Sequence, residues 1–252
     1  MRIVFVLFTL ALLGFGCTKD SLSLSKLKET LTLIDIYRAV TNESLDASLT
    51  IDNYQANFGF SEEDRVTLVS TACVPGKDIC KYSSIAVDDL QLKFEEGTNR
   101  YPHDPIYNDL FGKTVSVSLL EGEGVIGRNG ILTQLYIPHA LEVDINEVPQ
   151  LSNSFVLNWN ADQMNELGVY IIVQYAAVEN PNFVDDFPEE IVNYIQTEDD
   201  GSYVFQVNDF PDIPEGSLVT LKIIRGAFEL AEEGEDLIRV FALSHVTGYA
   251  RF

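Results

Sequence analysis

Short runs of β-branched and aromatic residues, alternating with polar ones and parted by turn residues, fill this chain from about residue 47 to its end. They include Ala47-Ser48-Leu49-Thr50-Ile51, Arg65-Val66-Thr67-Leu68-Val69, Ser84-Ile85-Ala86-Val87, Leu90-Gln91-Leu92-Lys93-Phe94, Thr114-Val115-Ser116-Val117-Ser118-Leu119 and Thr133-Gln134-Leu135-Tyr136-Ile137. A second series follows with Ser154-Phe155-Val156-Leu157-Asn158-Trp159, Val169 to Tyr175, Ser202 to Val207, Leu218 to Ile224 and Ile238 to Leu243. A period of two buries one side of each run and wets the other, which is how antiparallel sheets in a sandwich read. The pattern predicts an all-β chain.

Pro138 to Pro149 reads as a joint, because Asp144, Asn146 and Pro149 interrupt any long element after the run ending at Ile137. The expected organisation is two tandem antiparallel β-sandwich domains, over 31–138 and 139–252, each near the size of one Ig-type sandwich. One stretch reads two ways. Leu24, Leu27, Leu31, Ile34 and Val40 fit one face of a helix, whereas Leu31, Leu33 and Ile34-Asp35-Ile36-Tyr37 fit a strand. Strand is preferred here because everything after it is strand-like.

The second half carries a resemblance. Its sole tryptophan, Trp159, ends an alternating run, the next run holds Tyr170 and Tyr175, and Ile213-Pro214-Glu215-Gly216-Ser217-Leu218-Val219 precedes another. This arrangement is similar to fibronectin type III domains, in which a Leu-x-Pro-Gly-Thr-x-Tyr segment leads into a strand. The resemblance implies an Ig-like sandwich with Trp159 in its core. Val219 stands where that family places its corner tyrosine, so the corner hydrogen bond is not expected.

The N-terminus carries a different message. Arg2 is a minimal positive region, Ile3 to Leu13 is an apolar one, and Gly14-Phe15-Gly16 precedes Cys17. The apolar stretch is shorter than the about 20 residues that a spanning helix needs, and it is built like a secretory signal. Small residues before a cysteine resemble the bacterial lipobox, which implies removal of 1–16, an acylated Cys17 and a tether over 17–30. The alternative is an ordinary signal cleaved before Thr18. Acyl chains contribute about 0.8 kcal/mol per buried methylene, enough in combination to anchor a protein without a membrane helix. Thr18-Lys19-Asp20 resembles the export signal of Bacteroidota surface lipoproteins, which implies a bacterial outer membrane.

With Cys17 set aside, Cys73 and Cys80 remain, an even number in an oxidising compartment. Between them Pro75-Gly76 is turn chemistry, which folds the chain back and brings the two cysteines into disulfide range. The alternative, a metal or redox pair, has no nearby histidine to complete a zinc set.

Thirty-nine Asp+Glu against 16 Lys+Arg give a formal charge of −23, which repels phosphate backbones and speaks against nucleic acid. No constellation for catalysis emerges. His103, His139 and His245 lie in unrelated contexts; His103 sits beside Asp104 in a Pro-bounded loop, and His245 reads as a half-exposed strand residue. Gly122-Glu123-Gly124-Val125-Ile126-Gly127 mimics a dinucleotide string but has no helix after it, so it reads as a hairpin loop. Glu198-Asp199-Asp200-Gly201 with Asp209 or Asp212 offers hard oxygens to calcium without the spacing of a calcium loop. Asp185-Asp186, Glu189-Glu190 and Glu229 to Asp236 read as solvated turns. Tyr101, Tyr107, Phe111 and Tyr136 are either a stacking face for sugar or peptide, or ordinary core and edge residues, the reading preferred here.

The expected protein is therefore non-enzymatic, without catalytic residues, metal or cofactor, and held to membrane lipid through Cys17. Its expected role is binding or assembly with a protein or glycan partner at the cell envelope. The alternatives are a glycan-binding accessory of an outer-membrane importer, a carboxylate-dependent secreted hydrolase, or a structural spacer.

Overall fold

The computed structural model describes residues 32, 34–35, 46–58, 65–82, 84–93, 97–102, 104–120, 131–145, 148–151, 154–182, 188–206 and 209–252. The expected signal and tether with Cys17, together with His103 and the Gly122–Gly127 string, lie outside the described residues. Thirteen strands are described. The first seven are β1 (Ala47–Phe58), β2 (Val66–Cys73), β3 (Ser84–Val87), β4 (Leu90–Lys93), β5 (Gly97–Tyr101), β6 (Lys113–Leu120) and β7 (Ile131–Ile137). The second half adds β8 (Val156–Asn158), β9 (Val169–Ala176), β10 (Glu190–Thr197), β11 (Ser202–Val204), β12 (Leu218–Glu233) and β13 (Asp236–Arg251). They form a seven-stranded sheet in the order β10-β9-β12-β13-β1-β2-β5, a four-stranded sheet β4-β3-β6-β7 and a pair β11-β8. The fold is an all-β sandwich.

Period-two chemistry accounts for the strands. Thr67, Val69, Thr71 and Cys73 of β2 are buried while Val66, Leu68, Ser70 and Ala72 are only half-buried, so each successive side chain changes face. Two differences from the sequence reading matter. First, β12 and β13 are 16 residues each, about 50 Å long, and Glu229 to Glu233 belong to β12 where a turn was expected. Their register runs unbroken to Glu233↔Asp236, leaving only Gly234 and Glu235 to turn the chain. Gly234 at φ +65 supplies the positive φ that the first position of so tight a hairpin needs. Second, β1 joins the sheet parallel to β13, from Ala47↔Ile238 onward, whereas every other pairing of two described strands is antiparallel, as expected.

The inner face of the large sheet carries two cores. Leu49, Ile51 and Val69 join Ala227, Ile238, Val240 and Ala242 against Ile85, Val87, Val115, Val117 and Ile137 of the smaller sheet. Farther along the same long strands, Val219, Leu221, Ile223, Val246 and Ala250 join Ile171, Val173 and Tyr175 against Leu157, Trp159, Phe205 and Phe210. The first core draws Ala227, Ile238, Val240 and Ala242 from beyond residue 138, so the cores do not follow the expected division into 31–138 and 139–252. The two cores share the seven-stranded sheet, and β12 and β13 serve both.

A polar layer separates these cores. Arg225 follows Ile223 on the inner face of β12, and Ser244 precedes Val246 on β13. The Arg225 side chain is 0% exposed and sits 2.6 Å from Asp199 Oδ1. Its guanidinium also donates to the carbonyls of His139, at 3.1 Å, and Asn160. Asp199 in turn accepts from Trp159 Nε1 at 2.9 Å and from Asn165 Nδ2 at 2.8 Å. Beside this group, Ser244 Oγ donates to Asn53 Oδ1 at 3.0 Å and accepts from the Leu141 N–H at 2.8 Å. Arg65 Nη1 reaches the same Asn53 oxygen at 2.6 Å. A buried charge in such a layer is tolerated only while it is paired and hydrogen-bonded.

The tip of the β12–β13 hairpin is clasped as well. Asp236 accepts from the Ile79 N–H at 2.7 Å, Asp46 accepts from the Leu237 N–H at 2.9 Å, and Lys77 Nζ lies 2.5 Å from Asp46. Ile79 and Lys77 belong to the loop that the Cys73–Cys80 disulfide closes, with Cα atoms 5.9 Å apart.

Two measurements check these ties. Arg225→Met leaves Asp199 buried without its counter-charge and is expected to cost about 3–5 kcal/mol in urea unfolding, with Arg225→Met/Asp199→Asn recovering part of the loss. Cys73→Ser/Cys80→Ser is expected to cost about 2 kcal/mol, because the closed loop is short.

Candidate functional site

The outer face of the seven-stranded sheet bears a groove at its β10 flank. Alternation directs Ile172 and Gln174 of β9, Glu190, Val192 and Tyr194 of β10, and Thr220 and Lys222 of β12 to this side. Register then sets them in rows. Tyr194 pairs with Ile172 and Ile172 with Lys222; Val192 pairs with Gln174 and Gln174 with Thr220. These residues line a concavity of about 260 Å³. Ile172, 7% exposed, and half-buried Val192 give it an apolar floor, while Tyr194 beside them is 41% exposed. Gln174 Nε2 donates to Glu190 Oε1 at 2.5 Å, fixing both polar heads at one end.

The floor continues into an apolar patch of Tyr170, Ile172, Ile224, Phe241 and Leu243, against which Ile34, Leu167, Val192 and Phe228 pack. Ile34 comes from the N-terminal stretch. Thr32 Oγ1 accepts from the Asp35 N–H at 3.2 Å while Asp35 Oδ2 accepts from the Thr32 N–H at 3.0 Å, a reciprocal cap that starts a helical turn. Ile34 and Asp35 are helical, so the preference for strand is corrected at these two residues: the cap offers the backbone a local partner that a lone strand lacks. Farther along this face Arg239, 5% exposed, lies 5.8 Å from the Phe241 ring centre. Burial pulls its guanidinium pKa down, and the ring quadrupole offsets part of that desolvation.

Strand β10 forms the flank of the groove and one edge of the sheet, and among the described residues its ladder is with β9 alone. Exposed carboxylates mark both its ends, Glu189 before it and Glu190 as its first residue, then Glu198 and Asp200 after it.

The residues singled out from sequence go elsewhere. Cys73 and Cys80 are bonded to each other, as their spacing suggested. Tyr107 is buried in the first core, and Tyr101 and Phe111 pack against it. Tyr136 donates to Asp162 Oδ2 at 2.9 Å, so these aromatics behave as core and edge residues. Trp159 packs the second core. Among the calcium candidates, Asp199 is turned inward to Arg225, and Asp209 accepts from Tyr203 Oη and the Gln206 N–H, both at 2.8 Å. Among the described residues no three His, Cys, Asp or Glu side chains converge as metal ligands would. His245 Nε2 is 3.2 Å from Asp52 Oδ1, and its ring stacks on Tyr54 with centres 5.8 Å apart. His139 lies against Gly112, whose φ of +77 admits no side chain there, since a Cβ would fall 2.3 Å from the imidazole.

Missed altogether was Glu190-Ile191-Val192-Asn193-Tyr194-Ile195-Gln196-Thr197. Its β-branched and aromatic residues occupy both faces, so it lacks the clean alternation that marks the other strands.

No protein-family model matches the chain, and neither the curated proteins nor the solved structures gave a match to it.

The Tyr136–Asp162 tie predicts how stability depends on pH. Burial raises the Tyr136 phenol, and the hydrogen bond to Asp162 adds to it, bringing it to about 12. For Asp162, burial pushes upward, but the His139 N–H, Tyr136 and the Met164 N–H outweigh it and hold the carboxyl below its usual value. A lowered carboxyl stabilises above its unfolded pKa and loses that contribution as pH falls through the folded value. A raised phenol stabilises below its unfolded pKa near 10 and loses that contribution as pH rises toward 12. Urea midpoints are therefore expected to fall at both extremes, and Tyr136→Phe to flatten both limbs. Absorbance titration of that variant should lose one late phenol and keep Tyr203, which burial and Asp209 also raise to about 12.

Proposed function

We propose that this chain is a lipid-anchored protein of a bacterial outer membrane that works without catalysis, as a binding or assembly module of the envelope. The carrying observation is the groove on the outer face of the large sheet, lined by β9, β10 and β12 and continuous through Ile172 and Val192 with the apolar patch that Ile34 touches. The stretch from Cys17 to Ile34 spans at most about 60 Å when extended. An acyl chain on Cys17 therefore keeps the groove close to the membrane and raises its effective concentration toward membrane partners. The Cys73–Cys80 disulfide fits an oxidising compartment. Among the described residues no helix is long and apolar enough to cross a membrane.

The buried carboxylates Asp162 and Asp199 are engaged by Tyr136, Arg225, Trp159 and Asn165, which suits a role in holding the fold. One observation favours a second reading, a glycan-binding accessory of an outer-membrane importer. The exposed Tyr194 ring beside the Gln174–Glu190 pair offers a sugar both a stacking plane and polar partners.

Labelling cells with palmitate and partitioning the protein between detergent and water tests the anchor. The wild type is expected to take label and enter detergent, and Cys17→Ala to lose both properties. An unlabelled wild type that enters water, with its leader trimmed past the cysteine, would overturn the reading.

A further inference from the structure

We infer that the open edge of β10 is a strand-addition site, taking an extended segment of a partner protein that is basic at its ends and β-branched or aromatic between them. The inference rests on the binding-module reading above and names the partner for the same site.

The backbone makes the first argument. In an eight-residue edge strand, alternate N–H and C=O groups turn away from the neighbouring strand and form a ready template for another chain. Natural edges are commonly blunted by charged side chains, proline, bulges or short length. Strand β10 has only one of these, the charged Glu190 at its first position. Ile191 to Thr197 contains no charged residue and no proline, and the pairing with β9 runs from Glu190↔Ala176 to Thr197↔Val169 without a break. The other edge of this sheet, β5, has five residues and includes Arg100, while β4 at the edge of the smaller sheet has four.

Side chains make the second. A strand laid against β10 sets every other residue beside Val192 and Tyr194, and so extends the groove by one column. Apolar or aromatic residues match these cross-strand neighbours. On the opposite, inner face of the strand, Ile191 and Ile195 pack against the second core, so the strand is held from that side and its outer face is left to a partner.

Charge makes the third. Glu189 and Glu190 stand at one end and Glu198 and Asp200 at the other, all exposed. A partner with Lys or Arg near both ends of an eight-residue segment meets each pair. A second copy of this chain would bring its own −23 to the contact, and like charge disfavours that occupant.

The test uses the full-length protein in detergent and a synthetic peptide of alternating Val and Thr with two Lys at each end. Amide hydrogen exchange is followed with and without peptide. Binding is expected to slow exchange at alternate residues of β10. Methylating the peptide nitrogens in two alternate sets should abolish binding for the set facing β10 and leave the other set nearly unaffected. Glu189→Lys/Glu198→Lys should weaken binding about tenfold or more at low salt, with the difference shrinking as salt rises.

No binding at about 1 mM peptide, unchanged β10 exchange, or equal effects of the two methylated sets would overturn the inference. So would protection of β10 in the peptide-free protein that grows with concentration, which would assign the edge to self-association. Protection of Gln174, Val192 and Tyr194 by an oligosaccharide with none by peptide would overturn it too, while leaving a binding module in place. Failure of that broader reading shows separately, in the palmitate experiment.

Discussion

The pairing of Arg225 with Asp199 sets the terms for everything around it. A guanidinium with no exposure forces its neighbours to present acceptors, and it takes them from three separate stretches: the carbonyl of His139, the carbonyl of Asn160 and the carboxylate of Asp199. Taking both charges out of water costs several kcal/mol per ion, so the pair is weak as a source of stability and strong as a constraint on arrangement. A small displacement of the segment around Asp199 would leave a charge stranded. That same segment follows β10, so the constraint that separates the two cores also fixes where the edge strand ends.

From this layer the rest of the architecture follows. With polar groups at the middle of β12 and β13, apolar residues collect on either side of them, Ala227 with Ile238 to Ala242 toward the hairpin tip and Val219 to Ile223 with Val246 to Ala250 away from it. Two sandwich cores then share one pair of strands. The outer face of those strands remains for other uses, and it holds the apolar patch, the contact with Ile34 and the groove.

Much of this was legible in the residues, and the parts that were not share a cause. Runs rich in β-branched and aromatic residues announced themselves: Ser84 to Val87, Thr114 to Leu119 and Val169 to Tyr175 all lie within described strands. The turn at Pro75-Gly76 led to the disulfide, and Trp159 to the second core. What periodicity cannot carry is partnership at long range. Asp46 meets Leu237 across a separation of 191 residues, and nothing local in either sequence announces the parallel union of β1 with β13. Charge misled at Glu229 to Glu233. Glutamates clustered ahead of a glycine read as a solvated turn, but they sit at the tip of a strand whose exposed end is free to be acidic. Strand β10 went unread because apolar and aromatic residues stand on both its faces, Ile191 and Ile195 against the second core and Val192 and Tyr194 in the groove. The candidate site was thus least legible where it is most distinctive.

The two flanks of the large sheet are built on opposite principles. Toward β1 and β2, the disulfide loop, Lys77, Asp46 and Asp236 close off one end of the ladder with covalent, ionic and backbone ties. Toward β10, the ladder ends in a strand uncharged from Ile191 to Thr197, with carboxylates confined to its two ends. Such an edge in an otherwise acidic protein invites aggregation through like pairing, and the terminal carboxylates oppose that because each copy repels the next. The same charges leave a basic extended chain unopposed. Selectivity at this edge would then come from whom it repels as much as from whom it contacts, which is how an open strand can persist on a stable surface without being blunted.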